Sequence, residues 1–210
     1  GGSLLTLPVL IFIGLPANVA NGTNRIQLIM QNIFAISGFK SRGLADFKFS
    51  AWLSITAIFG SIIGTQIAID ISEEIFKKVL SIIMILVMGS IFLKNHGEGK
   101  SLNSYSNKNK PLTIFIFFFV GIYGGFIHAG VGFLMILVLS KVNRMRLSHS
   151  NSIKVFVALI FSTVAFLIFL NEDKINWIYG INLGIGSALG GWIASRWSYD
   201  KSDKTLKIIL

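Results

Sequence analysis

The chain has 210 residues, of which 53% are hydrophobic and only 13% are charged. Soluble domains carry about 25% charged residues, so this composition excludes an ordinary soluble domain. The net charge of +10 fits Lys and Arg kept on the cytoplasmic side of a membrane better than a nucleic-acid partner. No cysteine is present, which excludes disulfides and thiolate metal sites.

Long runs without charge predict transmembrane helices, because a helix needs about 20 apolar residues to cross a bilayer. Asp, Glu, Lys and Arg are absent from residues 1–24, 49–69, 111–140 and 175–195. Shorter runs, at 26–39, 79–93 and 155–171, are completed by flanking residues that snorkel. We predict apolar segments at 3–14, 17–39, 49–69, 75–93, 112–128, 130–140, 148–170 and 175–195, and a ninth beginning near Thr205.

A flexible loop divides the chain into two halves. The stretch from Lys94 to Pro111 is rich in Lys, Asn, Gly and Ser. We predict a first transmembrane repeat at 1–93, a cytoplasmic linker at 94–111 and a second transmembrane repeat at 112–210. The chain has no initiator Met, no visible signal peptide and an apolar end at Leu210. We therefore expect truncation at both ends, with the first repeat lacking its N-terminal helix.

The segment at 130–140 is too short to span a bilayer. Its 11 residues correspond to roughly 16 Å of helix. The preceding stretch, from Gly121 to Gly132, holds five glycines. Broken backbone is tolerated at membrane depth only where protein buries it or where it lines a cavity. We predict that segments 112–128 and 130–140 form a broken or re-entrant hairpin.

The basic residues are divided unequally between the two predicted sides of the membrane. Three of them, Lys77, Lys78 and Lys174, fall on one side. Thirteen fall on the other: Lys40, Arg42, Lys48, Lys94, Lys100, Lys108, Lys110, Lys141, Arg144, Arg146, Arg196, Lys201 and Lys204. The positive-inside rule makes this second side cytoplasmic. We predict a multi-pass protein of the cell (inner) membrane with cytoplasmic loops at 40–48, 94–111, 141–147 and 196–204.

Two glycine motifs indicate an internal repeat. Residues 60–68 and 186–194 both read G-S-x-x-G-x-x-I-A. Gly1-Gly2-Ser3 precedes its segment as Gly130-Val131-Gly132 does, and Thr23-Asn24-Arg25 matches Ser152-Ile153-Lys154. Matching segments are five apart, an odd number, so the two halves have inverted topology. Inverted repeats with broken helices are typical of secondary transporters.

We therefore predict an all-α fold: a polytopic transmembrane helix bundle with two inverted-topology repeats and broken or re-entrant Gly-rich helices. The spacing of Gly60 and Gly64, and of Gly186 and Gly190, favours close helix packing within the bundle. A homodimer formed through these glycines is an open alternative.

Arg25 lies between runs of 24 and 14 uncharged residues, roughly 13 Å along its predicted helix. A charge at mid-bilayer costs at least about 2.5–3.5 kcal/mol, so we expect Arg25 to face a cavity or a partner. Asn21 and Asn24 share its helical face, as do Gln31 and Asn32. The alternative is an Arg that snorkels to lipid phosphate.

Lys154 is the repeat-related counterpart of Arg25 and lies nearer a helix end, so snorkelling is a stronger alternative there. If both cations point inward, they and several amides converge, and a small anion would neutralise them. Helices beginning at Gly2-Ser3 and at Gly130 would add free backbone N–H groups and positive dipole ends. His128 either relays protons or stays neutral, bonded to a carbonyl that the break leaves free.

The predicted substrate-binding residues come from these features. They are Gly2, Ser3, Asn21, Thr23, Asn24, Arg25, His128, Gly130, Gly132, Asn151, Ser152 and Lys154. The motifs of zinc proteases, α/β-hydrolases and P-loop proteins are missing. The three histidines, His96, His128 and His149, are too scattered for a metal site. We predict no catalytic residue, metal or cofactor.

The sequence resembles the sulfite exporter TauE/SafE family of small multi-pass permeases. The stretches that carry the resemblance are Gly1 to Pro8, Gly14-Leu15-Pro16 to Ala20–Asn24, and Gly124-Gly125-Phe126 to Gly130-Val131-Gly132. The resemblance covers nearly the whole chain. It implies movement of sulfur oxyanions or organosulfonates such as sulfite or sulfoacetate, usually by export.

The resemblance also implies binding residues. The Gly-rich motifs of the family fall on Gly1, Gly2, Gly130 and Gly132, and its polar stretch falls on Thr23 and Asn24, with Ser152 in the second half. This sequence departs from the family pattern in two ways. His128 and Val131 stand among the second-half glycines, where nothing corresponds to Pro8, and no helix equivalent to segment 112–128 precedes Gly1.

The sequence thus predicts a secondary transporter that moves a small anion by alternating access. Its expected partners are that anion and the lipid bilayer, with no nucleic acid. Two alternatives remain open: an importer or channel for another small anion, and a non-transport intramembrane protein such as an enzyme or a lipid-binding subunit. The missing nucleophile and metal sets argue against the enzyme.

Overall fold

The computed structural model describes residues 2–40, 47–92 and 109–199. Within these ranges all regular secondary structure is helical, and short turns connect the helices. The eight helices are α1 (Gly2–Phe12), α2 (Ala17–Lys40), α3 (Phe47–Asp70), α4 (Glu73–Phe92), α5 (Lys110–Phe126), α6 (Val131–Lys141), α7 (Leu147–Asn171) and α8 (Trp177–Tyr199). The predicted ninth segment and most of the predicted linker lie outside the described residues.

The eight predicted segments are confirmed as helices, and their ends differ by only a few residues. The largest difference is at α8, which runs to Tyr199, so the predicted loop at 196–204 begins too early. The reason is that the first charged residue does not end the helix. Arg196 remains helical and places its guanidinium carbon 4.1 Å from the centre of the Trp192 ring, one turn earlier.

The bundle is built around α2 and α7, which pack against each other. Helix α8 packs on α2, and α3 packs on α7 and on α5. The order across the bundle is therefore α8, α2, α7, α3, α5. The short helices α1 and α6 contact α2 and α7 respectively.

The polarity of the bundle is the reverse of that of a soluble protein. Arg25, Asn21 and Asn24 are completely buried, whereas Ile178 is 73% exposed and Phe12 is 87% exposed. Apolar side chains point outward all along α3, α4, α5 and α8. Such a surface is stable in a hydrocarbon environment and unstable in water.

The length and composition of several helices agree with this outward arrangement of apolar side chains. Two of the described helices, Lys48–Asp70 and Leu147–Asn171, are long and apolar enough to cross a bilayer, and three more are apolar but shorter: Ser3–Phe12, Lys110–Phe126 and Val131–Lys141. The shorter helices include both pieces of the predicted broken hairpin.

The first copy of the repeated glycine motif brings two helices into backbone contact. A Cβ atom at Gly64 of α3 would collide with the Ile122 carbonyl oxygen of α5, and one at Gly121 of α5 would collide with the backbone of Ala57. These glycines therefore let α3 and α5 approach more closely than any side chain would permit. The predicted packing role is confirmed for Gly60 and Gly64.

The second copy behaves differently. A Cβ atom at Gly186 or Gly190 would meet nothing within 4 Å among the described residues. Helix α8 instead uses Gly180 and Gly184, which face Ile26 and Met30 of α2. The prediction that Gly186 and Gly190 pack within the bundle is therefore wrong for the described part of the chain, because α8 turns an adjacent face towards α2.

The two copies of the motif supply a matched pair of substitutions. We expect Gly64→Ala to destabilise the protein by about 1–3 kcal/mol, because α3 and α5 must separate to admit the methyl group. Gly186→Ala adds the same methyl group in open space and should be neutral or stabilise the helix by up to about 1 kcal/mol. Thermal unfolding in detergent measures both effects. Equal melting temperatures for the two variants would contradict the proposed contact.

Candidate functional site

Helices α5 and α6 form an antiparallel hairpin. Its two ends are joined where the Asn109 side-chain amide donates to the Val142 carbonyl at 2.8 Å. The Thr113 hydroxyl donates to the Asn143 amide oxygen, also at 2.8 Å. The tip, residues 127–130, therefore lies about 20 Å from these ends, inside the bundle.

The chain turns at the tip through two left-handed residues, His128 with φ of 60° and Gly130 with φ of 75°. Gly130 is the N-cap of α6 and provides no capping side chain. The Tyr123 hydroxyl donates to the Ala129 carbonyl across the turn. The helix is thus interrupted at the predicted place, and the interruption leaves free carbonyls at the end of α5 and free N–H groups at the start of α6.

Arg25 satisfies the free carbonyls of α5. Its Nη1 atom donates to the Gly124 carbonyl at 2.7 Å, and its Nη2 atom donates to the Gly125 carbonyl at 2.6 Å. The Asn21 side-chain amide donates to the Phe126 carbonyl at 2.7 Å. The positive charge therefore lies at the negative end of a helix dipole, with no acidic partner among the described residues. The Phe169 ring is close by, with its centre 5.6 Å from the guanidinium carbon.

A cavity of about 90 Å³ begins at the other side of the tip, between α2 in the first half and α6 and α7 in the second. Its polar lining includes five predicted site residues: Ser3, His128, Gly130, Gly132 and Lys154. Gln31 and Asn32 add side-chain amides. The remaining lining is apolar: Leu28, Ala35, Val131, Phe133, Ile136, Val155 and Ala158.

Lys154 is the only cation that lines the cavity within the described part of the chain. Its aliphatic stem passes over Gly132, where a Cβ atom would lie 3.3 Å from the Lys154 Cδ atom and 3.9 Å from the Nζ atom. Between described residues, the ion pairs are Lys77–Glu73 and Lys78–Glu74, both within α4. Lys154 is therefore half-buried without an acidic partner there, and the glycine gives its side chain room.

The two predicted glycine-rich helix starts meet at this cavity. The Ser3 hydroxyl, in the first turn of α1, donates to the His128 carbonyl at 3.3 Å. The His128 side chain is 5% exposed, and neither ring nitrogen has a hydrogen-bond partner in the described structure. Helix α6 begins three residues later, at Val131. Gly2, the first residue of α1, lies next to Ser3.

The other predicted residues lie outside the cavity lining. Thr23 accepts a hydrogen bond from the Asn176 backbone N–H at 2.8 Å, which fixes the start of α8. Asn24 accepts one from the Thr6 hydroxyl, also at 2.8 Å. Ser152 donates to the His149 carbonyl at 2.9 Å, and the buried Asn151 amide oxygen has no partner in the described structure.

Two cavity residues, Gln31 and Asn32, are missing from the predicted binding set. The sequence spacing could have indicated them, because they follow Arg25 by six and seven positions on one helix. This spacing corresponds to about two turns, so the polar residues of α2 extend from the tip along the cavity. On α2 the set of predicted residues stopped at Arg25 and so ended about two turns too early.

Comparison with known proteins agrees with this architecture. The family model described as "Sulfite exporter TauE/SafE" matches residues 1–210. A probable membrane transporter protein, ORF9, of Sinorhizobium sp. is 23% identical over all of this chain and 80% of that protein. One of Haemophilus influenzae is 27% identical over 98% of this chain and 80% of its own length. The probable membrane transporter protein YjnA of Bacillus subtilis is 26% identical over 100% and 87% respectively.

No solved structure gave a significant match. The family and the three relatives describe membrane transport proteins, in agreement with the buried polar centre and the apolar outer surface of the bundle. The match extends over the whole chain. The chain therefore belongs to the sulfite exporter TauE/SafE family of membrane transporters.

Proposed function

We propose that this protein is a secondary transporter that binds a small anion in the cavity between α2, α6 and α7. The observation that carries the proposal is Lys154, a cation that lines the cavity with no acidic partner in the described part of the chain. An uncompensated charge at membrane depth is costly, and an anionic ligand removes that cost.

The rest of the lining supports an oxyanion in particular. The start of α6 carries a positive dipole end and uncapped backbone at Gly130 and Gly132. The Gln31 and Asn32 side-chain amides lie around the same space, whereas the Ser3 hydroxyl already donates to the His128 carbonyl. Several hydrogen-bond donors converging on one charge suit the oxygens of sulfite or of a sulfonate group. The apolar side chains of Ala35 and Ile136 suit the short carbon chain of an organosulfonate such as sulfoacetate.

The pattern of helix contacts supports transport by two inverted halves. Helix α1 packs on α2 as its repeat counterpart α6 packs on α7. Helix α8 packs on α2 as its counterpart α3 packs on α7. A site between two repeats, with a broken helix at its centre, is the usual arrangement in alternating-access transporters. The hairpin of α5 and α6 would then be re-entrant, with its tip inside the membrane.

The two sides of the hairpin tip are unequal. The cavity follows α2 from Leu28 to Ala35 and α6 to Ile136, towards the helix ends that lead to the predicted cytoplasmic loops. On the opposite side, Arg25 and Asn21 bind the tip and Phe169 is completely buried beside them. We assign this arrangement to a state in which the site communicates with the cytoplasm and Arg25 closes the external side.

In this assignment Arg25 has a structural role, and Lys154 binds the substrate. Both were predicted as substrate cations, but only Lys154 lines the cavity. Export of sulfite is the activity that the family description names. Sulfite and sulfoacetate are therefore the first substrates to test.

We expect Lys154→Gln to reduce the flux of labelled sulfite and sulfoacetate into proteoliposomes by about tenfold or more. The loss of one charge-assisted interaction of about 1.5–3 kcal/mol corresponds to that factor. Lys141→Gln is the matched control, because it removes the same charge from an exposed position at the end of α6. Wild-type flux in the Lys154 variant, or equal losses in both variants, would exclude Lys154 from the site.

Arg25→Lys tests the structural assignment. A lysine keeps the charge but cannot donate to the Gly124 and Gly125 carbonyls together, because it lacks the planar fork of donors. We expect a loss of about 1.5–3 kcal/mol in unfolding free energy and a lower melting temperature in detergent. Arg146→Lys makes the same exchange at an exposed position and should leave stability unchanged. A stable Arg25→Lys protein with impaired flux would instead make Arg25 a substrate ligand.

A further inference from the structure

We propose that the site binds a proton together with its anion, on the imidazole ring of His128, and that the two cross the membrane as co-substrates. This inference rests on the proposed anion transport. It assigns the coupling ion, which neither the family description nor the names of the relatives specify.

The backbone holds His128 in one place. Its left-handed φ of 60° is uncommon for a residue with a β-carbon. Its N–H donates to the Tyr123 carbonyl at 3.4 Å, and its carbonyl accepts from the Val131 N–H and the Ser3 hydroxyl, each at 3.3 Å. Strained residues that their surroundings hold in place are concentrated at functional sites. These bonds keep the ring at the wall of the cavity, at the junction of α1, α5 and α6.

Both nitrogens of this ring are buried and lack a hydrogen-bond partner in the described structure. The side chain is 5% exposed, and neither Nδ1 nor Nε2 has a hydrogen-bond partner among the described residues. The Phe161 ring contacts one face of the imidazole, with ring centres 5.3 Å apart, and offers no acceptor. A buried imidazole normally has a partner for at least one nitrogen. An anion in the cavity, which His128 lines, would supply the missing acceptor.

The surrounding charges make the proton and the anion depend on each other. Arg25 of α2 and Lys154 of α7 are the charged side chains that interact electrostatically with the imidazole ring. The Tyr123 hydroxyl of α5 already donates to the Ala129 carbonyl. Helix α1 has no charged side chain between Gly2 and Phe12, and α6 has only Lys141, at its far end. His149, the histidine of α7, does not line the cavity.

A proton on His128 would therefore be a second positive charge at the cavity beside Lys154, with Arg25 at the other side of the tip and no described negative charge to offset it. An anion bound beside Lys154 reverses that balance and favours the imidazolium. By thermodynamic linkage, a protonated His128 must then strengthen anion binding by the same factor. Anion and proton consequently bind together more readily than either binds alone.

The transfer needs no other chemistry. The proton leaves water on one side of the membrane, forms an N–H bond on the ring, and returns to water on the other side when the anion dissociates. No bond of the substrate is made or broken. Because the proton travels with the anion, an exterior more acidic than the cytoplasm drives uptake. The gradients of substrate and proton together with the membrane potential, rather than the protein, therefore set the direction of net transport.

The test uses proteoliposomes with the membrane potential clamped at zero and sulfoacetate as the probe. Both acid groups of sulfoacetate are ionised near neutral pH, so the substrate itself carries no proton. Exchange of labelled for unlabelled sulfoacetate at equal pH measures the proposed function alone. Accumulation under an inward pH gradient measures the coupling. We expect about tenfold accumulation per pH unit for one proton per anion, together with alkalinisation of the external medium.

His128→Gln retains a polar side chain but cannot take up a proton. Any exchange that remains in this variant should no longer respond to the pH gradient. His149→Gln removes a different imidazole from α7 and should keep the wild-type coupling. An independent measurement on wild-type protein in unbuffered detergent solution should show uptake of protons when sulfoacetate is added, whether or not the variant folds.

The outcomes separate the two proposals. Absence of exchange in the wild-type protein would overturn anion transport itself. Exchange without pH-driven accumulation, and without proton uptake on binding, would leave the transporter proposal standing and overturn the coupling. Full coupling in His128→Gln would place the proton on another group and also overturn the assignment to His128.

Discussion

The architecture depends on how the interrupted backbone at the tip of the α5–α6 hairpin is stabilised within an apolar surrounding. A helix that ends inside a bundle leaves carbonyl groups that water cannot reach. Arg25 and Asn21 supply donors to three consecutive carbonyls, those of Gly124, Gly125 and Phe126. The charge of Arg25 is thus balanced by aligned peptide dipoles instead of an acid. The position of the tip fixes where α6 begins, and with it one wall of the cavity.

Arg25 and Lys154, which the predicted repeat pairs, make different contacts because their side chains differ. A guanidinium presents several donors in a rigid plane, which matches two adjacent carbonyls. An ammonium group is a compact charge on a flexible stem, and Lys154 makes no ion pair with any described residue. Arginine therefore suits the fixed contact at the tip, whereas lysine suits a site that must bind and release a ligand. The sequence repeat relates the positions of these residues but does not equate their contacts.

The sequence was sufficient to locate the helices, since runs without charge and a cluster of glycines are direct consequences of burial in a bilayer. It was also sufficient to place Ser3, His128, Gly130, Gly132 and Lys154 near one another, because the repeat pairs the two helix starts. It could not show that Arg25 points to α5 instead of the cavity. That contact joins residues about 100 positions apart and depends on how the hairpin docks, which helical periodicity does not encode. The same limit explains the wrong prediction for Gly186 and Gly190. These glycines repeat the motif of α3, but α8 packs against α2 through a different face.

The helices of the bundle are not all packed in the same way. Helices α3 and α5 are in backbone contact, whereas α6 and α7, beside the cavity, meet through a side chain. Between α3 and α5, carbonyl groups lie where a Cβ atom would have to sit, at Gly60, Gly64 and Gly121. Separating these helices would open contacts between rigid backbones. Beside the cavity, α6 meets α7 through the flexible stem of Lys154 lying over Gly132, which can change rotamer without moving either helix. A rearrangement that opens or closes the cavity is therefore least costly along the boundary of α2, α6 and α7. Lys154, without an ion pair, and the His128 ring, without a hydrogen-bond partner among the described residues, also lie there. The flexible boundary and the proposed binding groups coincide, as the proposed transport through this site requires.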